Sequence, residues 1–320
     1  MKTVQQLFDI AVKKGIKNDP RSPKKVAEFL ETKKKEFDSL PRNRKAFFNA
    51  ALLKTPYADS AIHYGAKAKI KRLAVGIDCE GEELLLVSEL NNRGAKIDGV
   101  MSHHPLGSAL GSLDQVMRMQ NDLLANYNVP INIAEKIMTP RAESVRRSVH
   151  SANLFRERDI AQKLNMPFFN VHTPADNCVY QFLEKKVAKK KYKTLNEIID
   201  KLLEIPEYIF EAKRGILPII ACGSGSSTPG RVAALEMTGG TNGSEKIFPH
   251  IAASGVGTIL SMHISEKSRK EAAKAHLNVI VCPHIASDNI GINLICDEFE
   301  KVGTQFVELS GFHRVSRVKK

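Results

Sequence analysis

Residues Ile97–Gly107 read IDGVMSHHPLG, and the fold class turns on this stretch. A short run rich in apolar and β-branched residues leads to two adjacent histidines, and Pro105 follows at once. The alternation predicts a strand. Proline cannot donate to a sheet ladder, so the strand should end at or just after the pair. His103 and His104 then sit at the carboxyl end of a strand, where the loops of an open α/β sheet build their sites. Neutral imidazole is a common transition-metal ligand. Neighbours on a regular strand point to opposite faces, but where a strand ends both rings can turn into one cleft. By itself the pair reads more simply as a polar loop with two solvated histidines.

Outward from this stretch the pattern repeats. RLAVGID reads as a buried strand, EGEELLLVSELNNRG as a helix stopped by Gly94, and KIDGVMS as the next strand. That is a β-α-β unit with an expected right-handed crossover. Helical patterns follow at Ser112–Asn126, with an extended piece near VPINIA, a helix from about His150 to Asn165 and a strand over Phe168–His172. Strand and helix alternate again from ILPIIACGSG to TQFVELSG. The expectation is an α/β protein: two α/β lobes with mostly parallel mixed sheets, plus an N-terminal helical extension. The segments are 1–65 (basic, helical, without strands), 66–177 (first lobe), 178–214 (lysine-rich helical insertion) and 215–320 (second lobe). Within the extension, VQQLFDIAVKKG should stop at its glycine, and Ser22 with Pro23 should open the next helix.

Composition narrows the class. The 320 residues suffice for a sizeable core. No apolar run is long enough to span a bilayer, and charges interrupt the N-terminal apolar pattern, which argues against a secretory signal. A cytoplasmic protein without a membrane partner is expected. Cys79, Cys178, Cys222, Cys282 and Cys296 show no short spacing, so they read as reduced core residues. The net charge of +13 permits an anionic partner. The lysines nevertheless cluster at 33–35 and in KKVAKKKYK (185–193) beside amphipathic helices, and no nucleic-acid-binding signature accompanies them. Solvated helix faces are the favoured reading, and nucleic acid the disfavoured one.

Four strands share one character: each ends in a metal-competent side chain. His103 and His104 follow DGVMS, His172 and Asp176 follow FFN in VHTPAD, His263 follows VGTILSM, and His284 and Asp288 follow LNVIV in CPHIASD. In the last, the i, i+4 spacing puts both groups on one helical face. Each motif alone is weak, since a lone HxxxD is usually a cap or a surface pair. Several strands ending this way along one sheet edge are what a composite metal site requires.

In this order, SHHPL (102–106), HTPAD (172–176), CGSGS (222–226) and PHIASD (283–288) resemble the Nif-three-like family, whose members are often labelled GTP cyclohydrolase I type 2 homologues. The likeness covers roughly residues 70–320. It implies lobes meeting at a dinuclear metal centre and a ring-like homo-oligomer. Carried over, the metal ligands are His103, His104, Asp176, His284 and Asp288, holding two divalent ions. Two departures stand out. Asp288 replaces the family's usual glutamate, so the shorter carboxylate is expected to reach one ion only, or to bind through water. Pro283 replaces a glycine. His263 also stands where the family has an acidic residue.

A mixed imidazole and carboxylate set suits zinc, manganese, iron or cobalt better than calcium. Two such ions activate water and polarise a carbonyl or phosphoryl oxygen. The first expectation is therefore a metal-dependent hydrolase acting on a small nucleotide-like or phosphate-containing substrate. His172 and His263 are the candidates for proton transfer, each weighed against a role in orienting a ligand. No residue reads a guanine ring, so the cyclohydrolase label finds no support. CGSGSSTPGR with Arg231 reads as a glycine-dependent turn rather than an anion cradle. The alternative class is a metal-stabilised oligomeric adaptor without catalytic activity.

Overall fold

The computed structural model describes residues 1–319. Its first sheet has the strand order Gln305–Glu308, Arg72–Gly76, Gly99–Ser102, Phe168–Asn170 and Ala61–Tyr64. The first four strands are parallel and the last is antiparallel. The second sheet runs Ile219–Cys222, Asn278–Val281, Val256–Ser261 and Arg231–Ala233, with only Ile219–Cys222 antiparallel. The α/β architecture with two mostly parallel sheets is thus as the alternation predicts.

Two helices join the lobes. Thr173–Leu183 and His284–Glu300 are buried on most of their faces. Ala286 and Ile290 pack into the second-lobe core, whereas Ile292, Ile295 and Phe299 pack into the first. The helices cross in backbone contact: a Cβ at Gly291 would lie 2.5 Å from the Ala175 carbonyl oxygen. That approach sets the spacing between Asp176 and Asp288, one near the start of each helix.

The N-terminal residues are not an appendage. Lys2–Thr3 pairs with Lys69–Ile70, and Ala61–Tyr64 is a strand of the first sheet, so the expectation of a strandless extension over 1–65 is corrected. The first helix spans Val4–Lys17, opened by a Thr3–Gln6 capping box, and buries Val4, Leu7, Phe8 and Ala11. It runs through Gly15 instead of stopping there, because Gly15 is where it meets the Thr173 helix: a Cβ would fall 2.6 Å from the Pro174 Cα. Ser22 and Pro23 open helix Pro23–Ser39 as expected.

Three further boundaries differ. The 215–320 lobe does not close on itself, since its last strand, Gln305–Glu308, pairs with Arg72–Gly76 in the first sheet. VPINIA is not extended but leads into helix Ile131–His150, whose buried Ala134, Met138, Ala142 and Val145 keep helical spacing. The helix expected over 150–165 contracts to Arg156–Lys163. The lysine-rich segment winds through a π turn at Glu184–Ala188 that buries Val187 and Ala188 and leaves its six lysines exposed. Among the described residues, no helix is long and apolar enough to cross a membrane.

Candidate metal centre

Parallel strands Arg72–Gly76, Gly99–Ser102 and Phe168–Asn170 end at one rim. Asp78, His103, His104 and His172 follow those ends. From the other lobe, His263 follows strand Val256–Ser261, and His284 opens the helix after Asn278–Val281. The five rings form a contiguous group. Centroids lie 5.0 Å apart for His103–His104 and His103–His172, 5.2 Å for His104–His284 and 4.9 Å for His263–His284.

Two carboxylates sit among them. His103 Nε2 is 3.3 Å from Asp176 Oδ1 and 3.5 Å from Asp288 Oδ1. The other Asp288 oxygen, Oδ2, is 3.4 Å from His104 Nε2 and 3.5 Å from His284 Nε2. His172 Nε2 lies 3.6 Å from Asp176 Oδ2. These separations exceed the ~2.7–2.9 Å of a charge-assisted hydrogen bond. They match the ~3.3–3.4 Å edge of a tetrahedron drawn with metal–ligand bonds of ~2.0–2.1 Å. His103 Nε2, Asp176 Oδ1 and both Asp288 oxygens are buried with no hydrogen-bond partner. Orphaned buried polar atoms are costly and call for an explanation, and a cation supplies one. Three overlapping ligand sets result: His103–His104–His172, His104–His284–Asp288 and His103–Asp176–Asp288.

The outer ring nitrogens on the first lobe are held. His103 Nδ1 lies 3.0 Å from the Val171 carbonyl oxygen, His104 Nδ1 2.6 Å from Asp78 Oδ1 and His172 Nδ1 2.7 Å from Asp59 Oδ2. Each contact turns Nε2 inward, as outer partners do for metal-binding histidines. Asp59 is fixed in turn: Thr173 Oγ1 donates to its carboxylate at 2.6 Å, and Asn170 Nδ2 to its backbone carbonyl at 2.8 Å.

Burial alone would disfavour a charged His103 or His104. The Asp288 and Asp176 carboxylates outweigh it at His103 and hold that ring well above its ordinary range. At His104 the Asp288 and Asp78 carboxylates lift the pKa to about 9. Burial would raise the Asp288 carboxyl, but the facing imidazoles pull it far below the usual carboxylate range. Burial lowers both His263 and His284.

All seven residues singled out from the sequence therefore meet at one place. His172, Asp176, His263, His284 and Asp288 line a pocket whose far wall is Glu236, Met237, Thr238, Gly240, Thr241 and Asn242. The two Asp288 oxygens face different imidazoles, Oδ1 toward His103 and Oδ2 toward His104. The CGSGS loop does not line this pocket: the Leu195 and Asn196 N–H groups donate to the Ser227 and Gly225 carbonyls, pinning it to helix Leu195–Leu202.

Sequence reasoning missed Asp78, Asp59 and the 236–242 wall. Asp78 ends RLAVGID, so the rule that found the other strand ends covers it too. Asp59 lay in a segment read as helical, and the wall carries no motif.

No family model matches the sequence, and no curated protein does. Among solved structures, a NIF3 superfamily protein from Sphaerobacter thermophilus is similar at 29% identity and TM-score 0.73, over 82% of this chain and 94% of that one. Reduced HcgD from Methanocaldococcus jannaschii shares the fold at 14% identity and TM-score 0.50, over 89% of this chain and 96% of that one. Fold and site together define a two-lobed α/β protein with a buried His/Asp cluster able to hold metal. In sequence and fold the chain is similar to NIF3 superfamily proteins.

Proposed function

We propose that the chain is a dinuclear metal-dependent hydrolase acting on a small nucleotide-like or phosphate-containing substrate. The observation that carries this reading is the division of the Asp288 carboxylate: Oδ1 toward His103 and Asp176, Oδ2 toward His104 and His284. One buried carboxylate facing two ligand sets is what a bridge between two cations needs. The donor set suits zinc, manganese, iron or cobalt. Bound there, such ions would supply an activated water and a Lewis acid for a carbonyl or phosphoryl oxygen.

The chain's own groups divide the remaining work. His263 lines the pocket, and burial favours its neutral form, so it can accept a proton at neutral pH. His172 is held at Nδ1 by Asp59 and directs Nε2 at Asp176, which suits orienting that carboxylate or joining it. Met237 and Met262 give the same pocket an apolar part of its lining.

The test is turnover of phosphate esters and cyclic amides by protein stripped with a chelator and then reloaded with each candidate ion. Activity should vanish on stripping, return on reloading and fall at least about a hundredfold in His263→Ala. Turnover that ignores the chelator would refute the metal-dependent reading.

A second reading, a metal-stabilised oligomeric adaptor, is favoured by the edge strand Ile219–Cys222. Beside it Ile216, Leu217 and Ile219 are 51–57% exposed, an apolar face suited to another copy of the chain. An adaptor would self-associate and bind metal yet turn over nothing in that screen.

A further inference from the structure

The pocket wall opposite the cluster is tied to the N-terminal segment by a chain of buried hydrogen bonds. Thr238 Oγ1 donates to Asn177 Oδ1 at 2.6 Å. Asn177 Nδ2 donates to the Tyr57 hydroxyl at 3.1 Å, and that hydroxyl donates to Asp19 Oδ2 at 2.8 Å. Arg21 closes the chain with Nε and Nη2 on the Asp19 carboxylate at 2.9 and 2.8 Å. Every member is buried, with Tyr57 and Asn177 wholly so.

The polarity of this chain is determined. Asn177 Nδ2 also faces the Gly15 carbonyl oxygen at 3.3 Å and Asp19 Oδ2 at 3.5 Å, and both can only accept. The amide nitrogen must therefore lie on that side and the amide oxygen toward Thr238. A hydroxyl has one hydrogen, and that of Thr238 is committed to Asn177. Among the described residues no donor is hydrogen-bonded to Thr238 Oγ1, although Thr238 lines the pocket. With that hydrogen committed, the only role left to the Thr238 hydroxyl in this pocket is as an acceptor. The neighbouring wall has the same character. Glu236, in a left-handed backbone conformation (φ 55°), accepts the Gly243 N–H at 3.0 and 3.3 Å and lines the same pocket. Gln120 clamps the loop by donating to the Gly239 and Thr241 carbonyls, both at 2.7 Å.

We propose that the Arg21–Asp19–Tyr57–Asn177 relay fixes Thr238 as a hydrogen-bond acceptor, and that this selects ligands carrying an N–H or O–H beside the group that lies on the His/Asp cluster. Primary and secondary amides, ureas and hydroxyl-bearing esters fit, and fully substituted analogues leave the acceptor desolvated and unpaired. A site built for a donor rejects an analogue lacking it, because its buried polar group is then stranded. The inference rests on the metal reading above and adds a specificity residue to it.

The test uses the full chain loaded with zinc and two chelating probes, acetohydroxamic acid and N-methylacetohydroxamic acid, compared by calorimetry. Both offer the same pair of oxygens, and only the first carries an N–H. The expected preference for the first is about tenfold or more, retained in Thr238→Ser, lost in Thr238→Val and reduced in Tyr57→Phe, at unchanged zinc content. Equal binding of the two probes by the wild type, or an undiminished preference in Thr238→Val, overturns the inference. Failure of the wild type to take up zinc overturns the metal reading beneath it and is recognised separately, from the metal content.

Discussion

The two lobes hold their imidazoles in different ways. On the first lobe, His103, His104 and His172 each have Nδ1 held by an acceptor at 2.6–3.0 Å, and His103 and His172 are nearly inaccessible. On the second, no acceptor from another described residue is hydrogen-bonded to Nδ1 of His263 or His284, and the His284 side chain is 36% exposed. One side is a preformed wall and the other a looser face stacked edge-on at 4.9 Å. The difference predicts which side would hold a cation tightly and which would exchange it. A cation among His103, Asp176 and Asp288 should be held tightly, and one among His104, His284 and Asp288 should be the labile one that meets ligands.

Several variants can break or sharpen that contrast. His284→Ala should cost one ion per chain and leave the first-lobe ion in place, read by elemental analysis after dialysis. Loss of both ions would remove the asymmetry. Asp59→Asn and Asp78→Asn leave the first-lobe rings unanchored and should weaken metal binding about 10–100-fold, read by competition with a chelating dye. An unchanged Kd would mean that the outer contacts do not matter.

Next in size is a pH effect. Without a cation, the facing carboxylates hold the His103 pKa well above its ordinary value and that of His104 at about 9, which favours their protonated forms. A divalent ion must displace those protons, so affinity should rise with pH up to about 9 and fall as pH drops. Proton release on metal addition in weak buffer checks the sign.

The smallest effect concerns the footing of the pinned wall. His63 Nε2 donates to Asn170 Oδ1 at 3.0 Å, and Asn170 in turn supports Asp59. Burial lowers the His63 pKa from 6.5 to about 4. The unfolded chain therefore binds the extra proton between those values, and stability falls as pH drops from 6.5 toward 4. At about 1.4 kcal/mol per unit, discounted for a ring that is partly exposed, the loss should be about 1–2 kcal/mol. His63→Gln should flatten the acid limb of a thermal-melt series, and a limb unaltered by that change would assign the loss to other groups.

The same contrast explains what could be read from the sequence. Strand-end histidines announce themselves, because a β-rich run that stops at His103–His104 or before His284 is a local pattern. The i, i+4 spacing of His284 and Asp288 likewise needs only helix geometry. Asp59, Thr238 and the Asn177 relay depend on contacts 61–120 residues apart in the chain, which no local period encodes. Gly15 shows the same limit. Its composition reads as a helix stop, whereas its use is to let Pro174 approach. The closing strand Gln305–Glu308 was legible as a strand, but its partner was not, because pairing with Arg72–Gly76 is decided by the helix His284–Glu300 that carries the chain back to the first lobe.

The most direct measurement is the number of metal ions per chain in protein purified without added metal, for the wild type and for Asp288→Asn. A shared carboxylate predicts about two ions per chain in the wild type and the loss of both from the single substitution. A wild type that carries none after exposure to zinc, manganese, iron or cobalt, or an Asp288→Asn protein that retains its full complement, would contradict the account.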